Sequence, residues 1–180
     1  MFLSKIKYCN SEFIYPFDEG SKQLDAFLDL LHEYVQEMNK IDKHVLLKSK
    51  DRLKEEYFWT RDTCYVLFKI KKKPIGFAIL GCSSNCHPNA DLYIEEFYIQ
   101  KKYRRKGYGR HFMNLILVGN KKVCFYIIKK NDKALAFQKN IFSKWNDISD
   151  KVPAIMQRMY NVPDWLDWYC YNRSNYQPTA

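Results

Sequence analysis

Asp91-Leu-Tyr-Ile-Glu-Glu-Phe-Tyr-Ile99, Gln100-Lys-Lys-Tyr103, Arg104-Arg105-Lys106-Gly107-Tyr108-Gly109-Arg110 and His111-Phe-Met-Asn-Leu-Ile-Leu117 form the one continuous stretch on which the reading of this chain turns. A β-branched and aromatic run is followed by two glycines one residue apart among four basic side chains, then by apolar residues at helical spacing. That order predicts strand, loop and helix. Glycine lets the backbone turn sharply and approach an anion, and the free N–H groups of a helix N-terminus point at it. The loop has the composition of a phosphate holder.

Working outward, the flanks alternate between the two periodicities without an internal repeat. Leu3 to Cys9 predicts a first strand, and Ser21 caps a helix whose Leu24, Phe27, Leu28, Leu31, Val35 and Met38 recur at three- and four-residue steps. Lys48 to Trp59 predicts a more charged second helix. Thr63 to Ile70 and Ile75 to Gly81 predict a hairpin around Lys71-Lys72-Lys73-Pro74, with the lysines as a solvated turn. Ser83 to Ala90 is a polar loop, and Leu92 to Ile99 is the strand that enters the glycines. Gly119-Asn120 stops the following helix. Val123 to Ile128 predicts a short buried strand, and Asn131 caps a helix carrying Ala134, Leu135, Phe137 and Ile141. From residue 143 the chain is an irregular aromatic tail in which Trp165 to Tyr171 can form a last strand.

Composition narrows the class. The 180 residues suffice for one domain that buries roughly 70% of its unfolded surface. A 47% hydrophobic, 17% aromatic sequence is that of a folded chain, not a disordered one. The net charge of +10 attracts polyanions, coenzymes and nucleic acids alike. Six scattered cysteines lack a disulfide framework, so reduced thiols in a cytoplasmic protein are expected. Cys82, Cys86 and His87 lie together, but C-x3-C-H without a second pair falls short of four zinc ligands, and no metal is expected. No run of ~18 apolar residues is available to span a bilayer, so no membrane partner is expected.

The order of elements and these residues resemble the GNAT superfamily of N-acetyltransferases. Arg104-x-x-Gly107-x-Gly109 fits the family's acetyl-coenzyme A signature at every position, and Ile99-Gln-Lys-Lys-Tyr103-Arg104 is similar to its approach, with Lys101 where a proline often stands. Asn131, Ala134 and Phe137 are similar to the family's N-x-x-A-x-x-[FLY] helix start, and Ile75-Gly76-Phe77-Ala78 is like its third strand. The likeness is continuous from about residue 65 to 142. A Rossmann loop would need a third glycine, where Phe112 stands, and a Walker loop needs Gly-Lys-Ser/Thr.

The resemblance implies a single mixed α/β domain over residues 1–180, with a mostly antiparallel sheet splayed between strands 4 and 5 and helices on both faces. It implies acetyl-coenzyme A as co-substrate and transfer of its acetyl group to a primary amine by direct attack. Pyrophosphate would rest on amides from Arg105, Lys106, Gly107, Tyr108, Gly109 and Arg110, with charge from Arg104 and Lys106. Pantetheine would run beside Phe97, Tyr98 and Ile99, near Asn131 and Phe137, and the Ile99 N–H would polarise the thioester carbonyl. Glu96 is the preferred general base and Glu95, on the opposite face by strand alternation, the alternative.

The chain departs from the family at Gln138, where many members carry a tyrosine that protonates the departing thiolate. Tyr126, Tyr160 and Tyr169 are possible replacements. Asp91, Glu95, Glu96, Asp164 and Asp167 suggest a small cationic acceptor, with a protein or peptide amine as the alternative. A module that binds acyl-coenzyme A without turnover is the second class, and a homodimer is allowed. A nucleic-acid partner is disfavoured.

Overall fold

The computed structural model describes residues 9–14, 21–57, 63–81, 90–120, 122–147 and 166–173. The strands are β1 (Cys9–Ile14), β2 (Thr63–Ile70), β3 (Lys73–Gly81), β4 (Leu92–Ile99), β5 (Lys122–Ile128), β6 (Asn146–Asp147) and β7 (Leu166–Asn172). The helices are α1 (Lys22–Ile41), α2 (Lys50–Tyr57), α3 (Tyr108–Ile116) and α4 (Asp132–Ile141). The strands join in one seven-stranded sheet of order β1-β2-β3-β4-β5-β7-β6. Pairing of β4 with β5 is parallel and runs from Leu92–Val123 to Ile94–Phe125.

Contacts divide the chain into two compact units, Met1–Leu80 with Glu95–Ile116, and Gly81–Ile94 with Leu117–Ala180. In the first, alternation along the strands separates two apolar layers. Tyr65 and Leu67 of β2, Phe77 and Ile79 of β3 and Tyr98 of β4 meet Leu24, Phe27, Leu31 and Val35 of α1. Val66, Phe68, Ala78 and Ile99 point the other way, onto Tyr108 and Phe112 of α3. Each large side chain so buried contributes roughly 1.5–3 kcal/mol. The Ser21 side chain accepts from the Leu24 amide at 3.1 Å, as a helix N-cap should. At Gly76 the β3 backbone passes so close to the Tyr98 carbonyl that an added Cβ would collide with it.

In the second unit β5 pairs antiparallel with β7 from Lys122–Asn172 to Ile128–Leu166. Phe125 stacks on Phe142 at 5.3 Å, and Phe142 on Tyr171 at 4.7 Å. The Asn131 side chain caps α4 through the Ala134 amide at 3.1 Å.

Two sequence expectations shift. The first strand is Cys9–Ile14, registered against β2 from Cys9–Ile70 to Ile14–Tyr65, whereas residues 3–8 of the expected strand lie outside the described residues. Cys124 and Cys170, expected to be reduced, form a disulfide. They are register partners on β5 and β7, both fully buried, with Cα atoms 4.3 Å apart. Among the described residues no cluster of three His, Cys, Asp or Glu could hold a metal, and no helix is long and apolar enough to cross a membrane. Cys82, Cys86 and His87 lie outside them.

Candidate active site

The end of β4 is built as a strand, a reversal and a helix start. The Gln100 amide donates to the Ile75 carbonyl at 2.9 Å, then Lys101–Tyr103 make one 3-10 turn. Arg105 (φ 58°) and Gly107 (φ 84°) both adopt left-handed backbone, and α3 starts at the next residue, Tyr108. Its bonding begins with the His111 amide donating to the Gly107 carbonyl at 3.0 Å. The amides ahead of that bond have no carbonyl within the helix and face its N-terminal end, where the helix dipole favours an anion. Arg105 and Lys106 are exposed, Arg110 is exposed one turn in, and Tyr108 anchors the helix in the core. These residues fit a diphosphate.

Arg104 does something else. Its guanidinium takes Glu37 of α1 at two points, 2.5 and 2.7 Å, while its Nε donates to the Ile99 carbonyl at 2.6 Å. It also lies 5.2 Å from the centre of the Tyr98 ring. The hydrogen bonds to Glu37 hold its pKa above the usual arginine value. The residue locks strand to helix, and the loop's exposed charge comes from Arg105 and Lys106.

Consecutive backbone amides of a strand point to opposite edges. Because the Gln100 amide points to β3, that of Ile99 points to the other edge, and so does that of Phe97. Pairing with β5 has already ended at Ile94. The edge at Phe97 and Ile99 therefore offers main-chain groups to an extended ligand. Phe97 packs against Phe68 at 5.6 Å, and Ile99 is buried beside α3.

The carboxylates of β4 differ in setting. Glu96 accepts a hydrogen bond from the Tyr34 hydroxyl of α1. Glu95, on the opposite face, has no hydrogen bond or ion pair among the described residues, and burial raises its pKa. Two further acids on α1 were not singled out in the sequence. Glu33 accepts from the Tyr98 hydroxyl at 2.9 Å and from Gln100 at 2.6 Å, and Glu37 holds Arg104. Burial, then Glu33, raises the Tyr98 pKa. Of the other acids, Asp91 accepts from the Lys122 amide at 2.8 Å, Asp167 lies 3.8 Å from Lys129, and Asp164 is outside the described residues.

In the second unit Asn131 is the α4 cap, Phe137 is half-buried on that helix, and Gln138 is 4% exposed. The Gln138 amide donates to the Tyr171 hydroxyl, a partner the sequence did not indicate. Burial, then Asp147, pushes the Tyr171 pKa up to about 12, against the smaller opposing effect of Gln138. Tyr126 packs edge-on to Tyr93 at 5.7 Å, and burial raises the Tyr169 pKa. Tyr160 is outside the described residues.

The model of the acetyltransferase (GNAT) family matches residues 27–139, more than half of the chain and all of the strand, loop and helix just described. This chain belongs to the GNAT family. GNAT acetyltransferases use acetyl-coenzyme A as co-substrate, and the match spans the whole β4–α3 loop with its left-handed turn. No curated protein matches this GNAT sequence. Among solved structures it is similar to an acetyltransferase from Thermus thermophilus, with TM-score 0.60 and 16% identity over 90% of this chain and 95% of that one. It is similar to the PaiA N-acetyltransferase from Thermoplasma acidophilum in complex with coenzyme A, with TM-score 0.62 and 11% identity over 91% and 98%. It also resembles the aminoglycoside acetyltransferase meta-AAC0020 from an uncultured soil metagenomic sample, in complex with sisomicin, with TM-score 0.51 and 15% identity over 75% and 88%. Identities this low show a shared fold.

Proposed function

We propose that this GNAT protein moves the acetyl group of acetyl-coenzyme A to a primary amine on a small cationic molecule. The observation that carries the reading is the pairing of an anion-binding loop at Arg105–Gly107 with an unladdered strand edge at Phe97 and Ile99. Amides after Arg104 hold the diphosphate, and the β4 edge receives the pantetheine as an added strand would be received. The Ile99 N–H is aimed at the thioester carbonyl. A donor placed there is worth roughly 3–4 kcal/mol to the developing oxyanion.

The attacking amine has to lose a proton as its nitrogen bonds to the acetyl carbon and the carbon–sulfur bond breaks. Glu95 is the better of the two bases. Its carboxyl is half-buried, raised in pKa and without a partner among the described residues, whereas Glu96 already receives the Tyr34 hydroxyl. A thiol pKa of about 8.5 lets the thiolate leave without a strong acid. Gln138 stands where the family resemblance puts a tyrosine and itself holds the hydroxyl of Tyr171. Tyr171 is therefore the phenol one hydrogen bond away from that position, and it is proposed as the proton source.

Carboxylates at Glu33, Glu95 and Glu96 on and beside β4 favour a cationic acceptor over an anionic one. The similar structure of the aminoglycoside acetyltransferase meta-AAC0020, in complex with sisomicin, supports this choice. Mass spectrometry of products over a panel of polyamines, aminoglycosides, amino sugars and peptides tests the reading. Acetylation of a small amine supports it, and transfer to peptides alone replaces it with a protein-directed enzyme. Coenzyme binding with no thiol release for any amine leaves an acyl-coenzyme A binding module, which the loss of tyrosine at Gln138 would explain.

A further inference from the structure

Lys71, Lys72 and Lys73 form the exposed turn that leads from β2 into β3, with Lys71 in left-handed backbone (φ 57°). With Ile70 and Tyr103 they line an open cleft of about 500 Å3. The amines of Lys102 and Lys106 lie 5.5 and 5.8 Å from the centre of the Tyr103 ring, which adds two cations to that side chain. No acidic residue occurs in 69–73 or in 100–111. Among the described residues Lys71, Lys72 and Lys73 make no ion pair or side-chain hydrogen bond. This contrasts with Arg104, which the chain neutralises with its own Glu37.

A row of uncompensated ammonium groups repels itself, and a polyanion relieves that repulsion. Lysine presents a compact, hydrated point charge on a flexible stem, suited to carboxylates whose spacing is not fixed. A nucleic acid would gain affinity from stacking a base on an aromatic face, but Lys102 and Lys106 already lie over the ring of Tyr103. The apolar side chain of Ile70 suits a hydrophobic side chain among the acids. We propose that this cleft docks an acidic segment of a partner protein, with its Asp and Glu side chains on the lysines and an apolar residue on Ile70. The proposal holds whether or not the chain transfers acetyl groups.

Fluorescence anisotropy tests it with a short labelled Glu-rich peptide carrying one Leu, its Gln-for-Glu counterpart, and labelled oligothymidine. The acidic peptide is expected to bind in a salt-sensitive way, and the Gln peptide not to bind. The triple variant Lys71→Glu, Lys72→Glu, Lys73→Glu should weaken the acidic peptide at least about tenfold. The triple variant Lys133→Glu, Lys139→Glu, Lys144→Glu removes the same net charge elsewhere and should change binding less than about twofold. If circular dichroism shows the hairpin variant misfolded, the milder Lys→Gln triple at positions 71, 72 and 73 takes its place, again with weakening expected. Equal losses in both triples would reduce the effect to net charge. Tighter binding of oligothymidine with the same lysine dependence, or no peptide binding at low salt, would likewise overturn the proposal.

Discussion

Glu37 of α1 grips Arg104 through both terminal guanidinium nitrogens, at 2.5 and 2.7 Å, although 67 residues separate them. The same guanidinium reaches back to the Ile99 carbonyl, the last residue of β4. The first residue of the coenzyme signature thus fixes where the loop begins. Charge-assisted hydrogen bonds of this kind contribute about 1.5–3 kcal/mol each when half-buried. Arg104→Ala should lower thermal stability and weaken coenzyme A binding in calorimetry. Arg104→Lys should recover little of either, since an ammonium lacks the planar fork that spans Glu37 and Ile99. Full recovery by lysine would reduce the contact to simple charge.

Glu95 and Glu96 separate by pH and by substitution. Glu95→Gln should cut kcat about 10²–10⁴-fold, while Glu96→Gln should cost much less. The carboxyl of Glu95 is raised by burial, so the base is inactive when protonated, and the wild-type rate should rise with pH through that raised pKa. The stability effect has the opposite sign. A raised carboxyl binds its proton more tightly in the folded chain, so folding weakens as pH climbs from the ordinary carboxylate range through the folded-state pKa. Glu95→Gln should then be the more stable protein at neutral pH and the poorer enzyme. A variant that is less active and also less stable would point to a structural role.

Tyr171→Phe removes the hydroxyl that Gln138 holds but keeps the ring stacked on Phe142. Stability should fall by about 1–3 kcal/mol from the stranded Gln138 amide. If Tyr171 supplies the proton, kcat should fall while the KM for acetyl-coenzyme A stays unchanged. Equal kcat in the two proteins would show that the thiolate leaves unaided.

Gly76→Ala tests the close crossing of β3 and β4. The new methyl meets the Tyr98 carbonyl, a backbone atom that cannot swing aside. A loss of about 1–3 kcal/mol is expected from thermal melts, the usual range for overpacking. A displaced β4 should also weaken coenzyme binding, because Tyr98 lies between Phe97 and Ile99.

Much of this was legible in the chain. Ser21 and Asn131 announce α1 and α4 by their cap chemistry, and both side chains accept the amide three residues on. The switch from period two to helical period around Gly107 placed β4 and α3. The rest depended on partners distant in sequence. Alternation puts Glu95 and Glu96 on opposite faces, yet only the packing of α1 shows that Tyr34 takes Glu96. Nothing near Arg104 names Glu37, and nothing in the spacing of Cys124 and Cys170 reveals their pairing. At the N-terminus, Cys9–Ile14 finds its partner in β2, more than fifty residues further on, which no local period announces. The two-residue β6 is too short to carry a period.

The loop itself decides the account. Gly107 sits at φ 84°, where a β-branched residue is strained and its side chain would crowd an approaching phosphate. Calorimetric titration of coenzyme A into the wild-type protein and into Gly107→Val tests this directly. Saturable one-to-one binding to the wild type and a loss of at least about tenfold in the variant are expected, with the fold preserved by circular dichroism. Unchanged affinity in Gly107→Val, or no binding to the wild type, would contradict it.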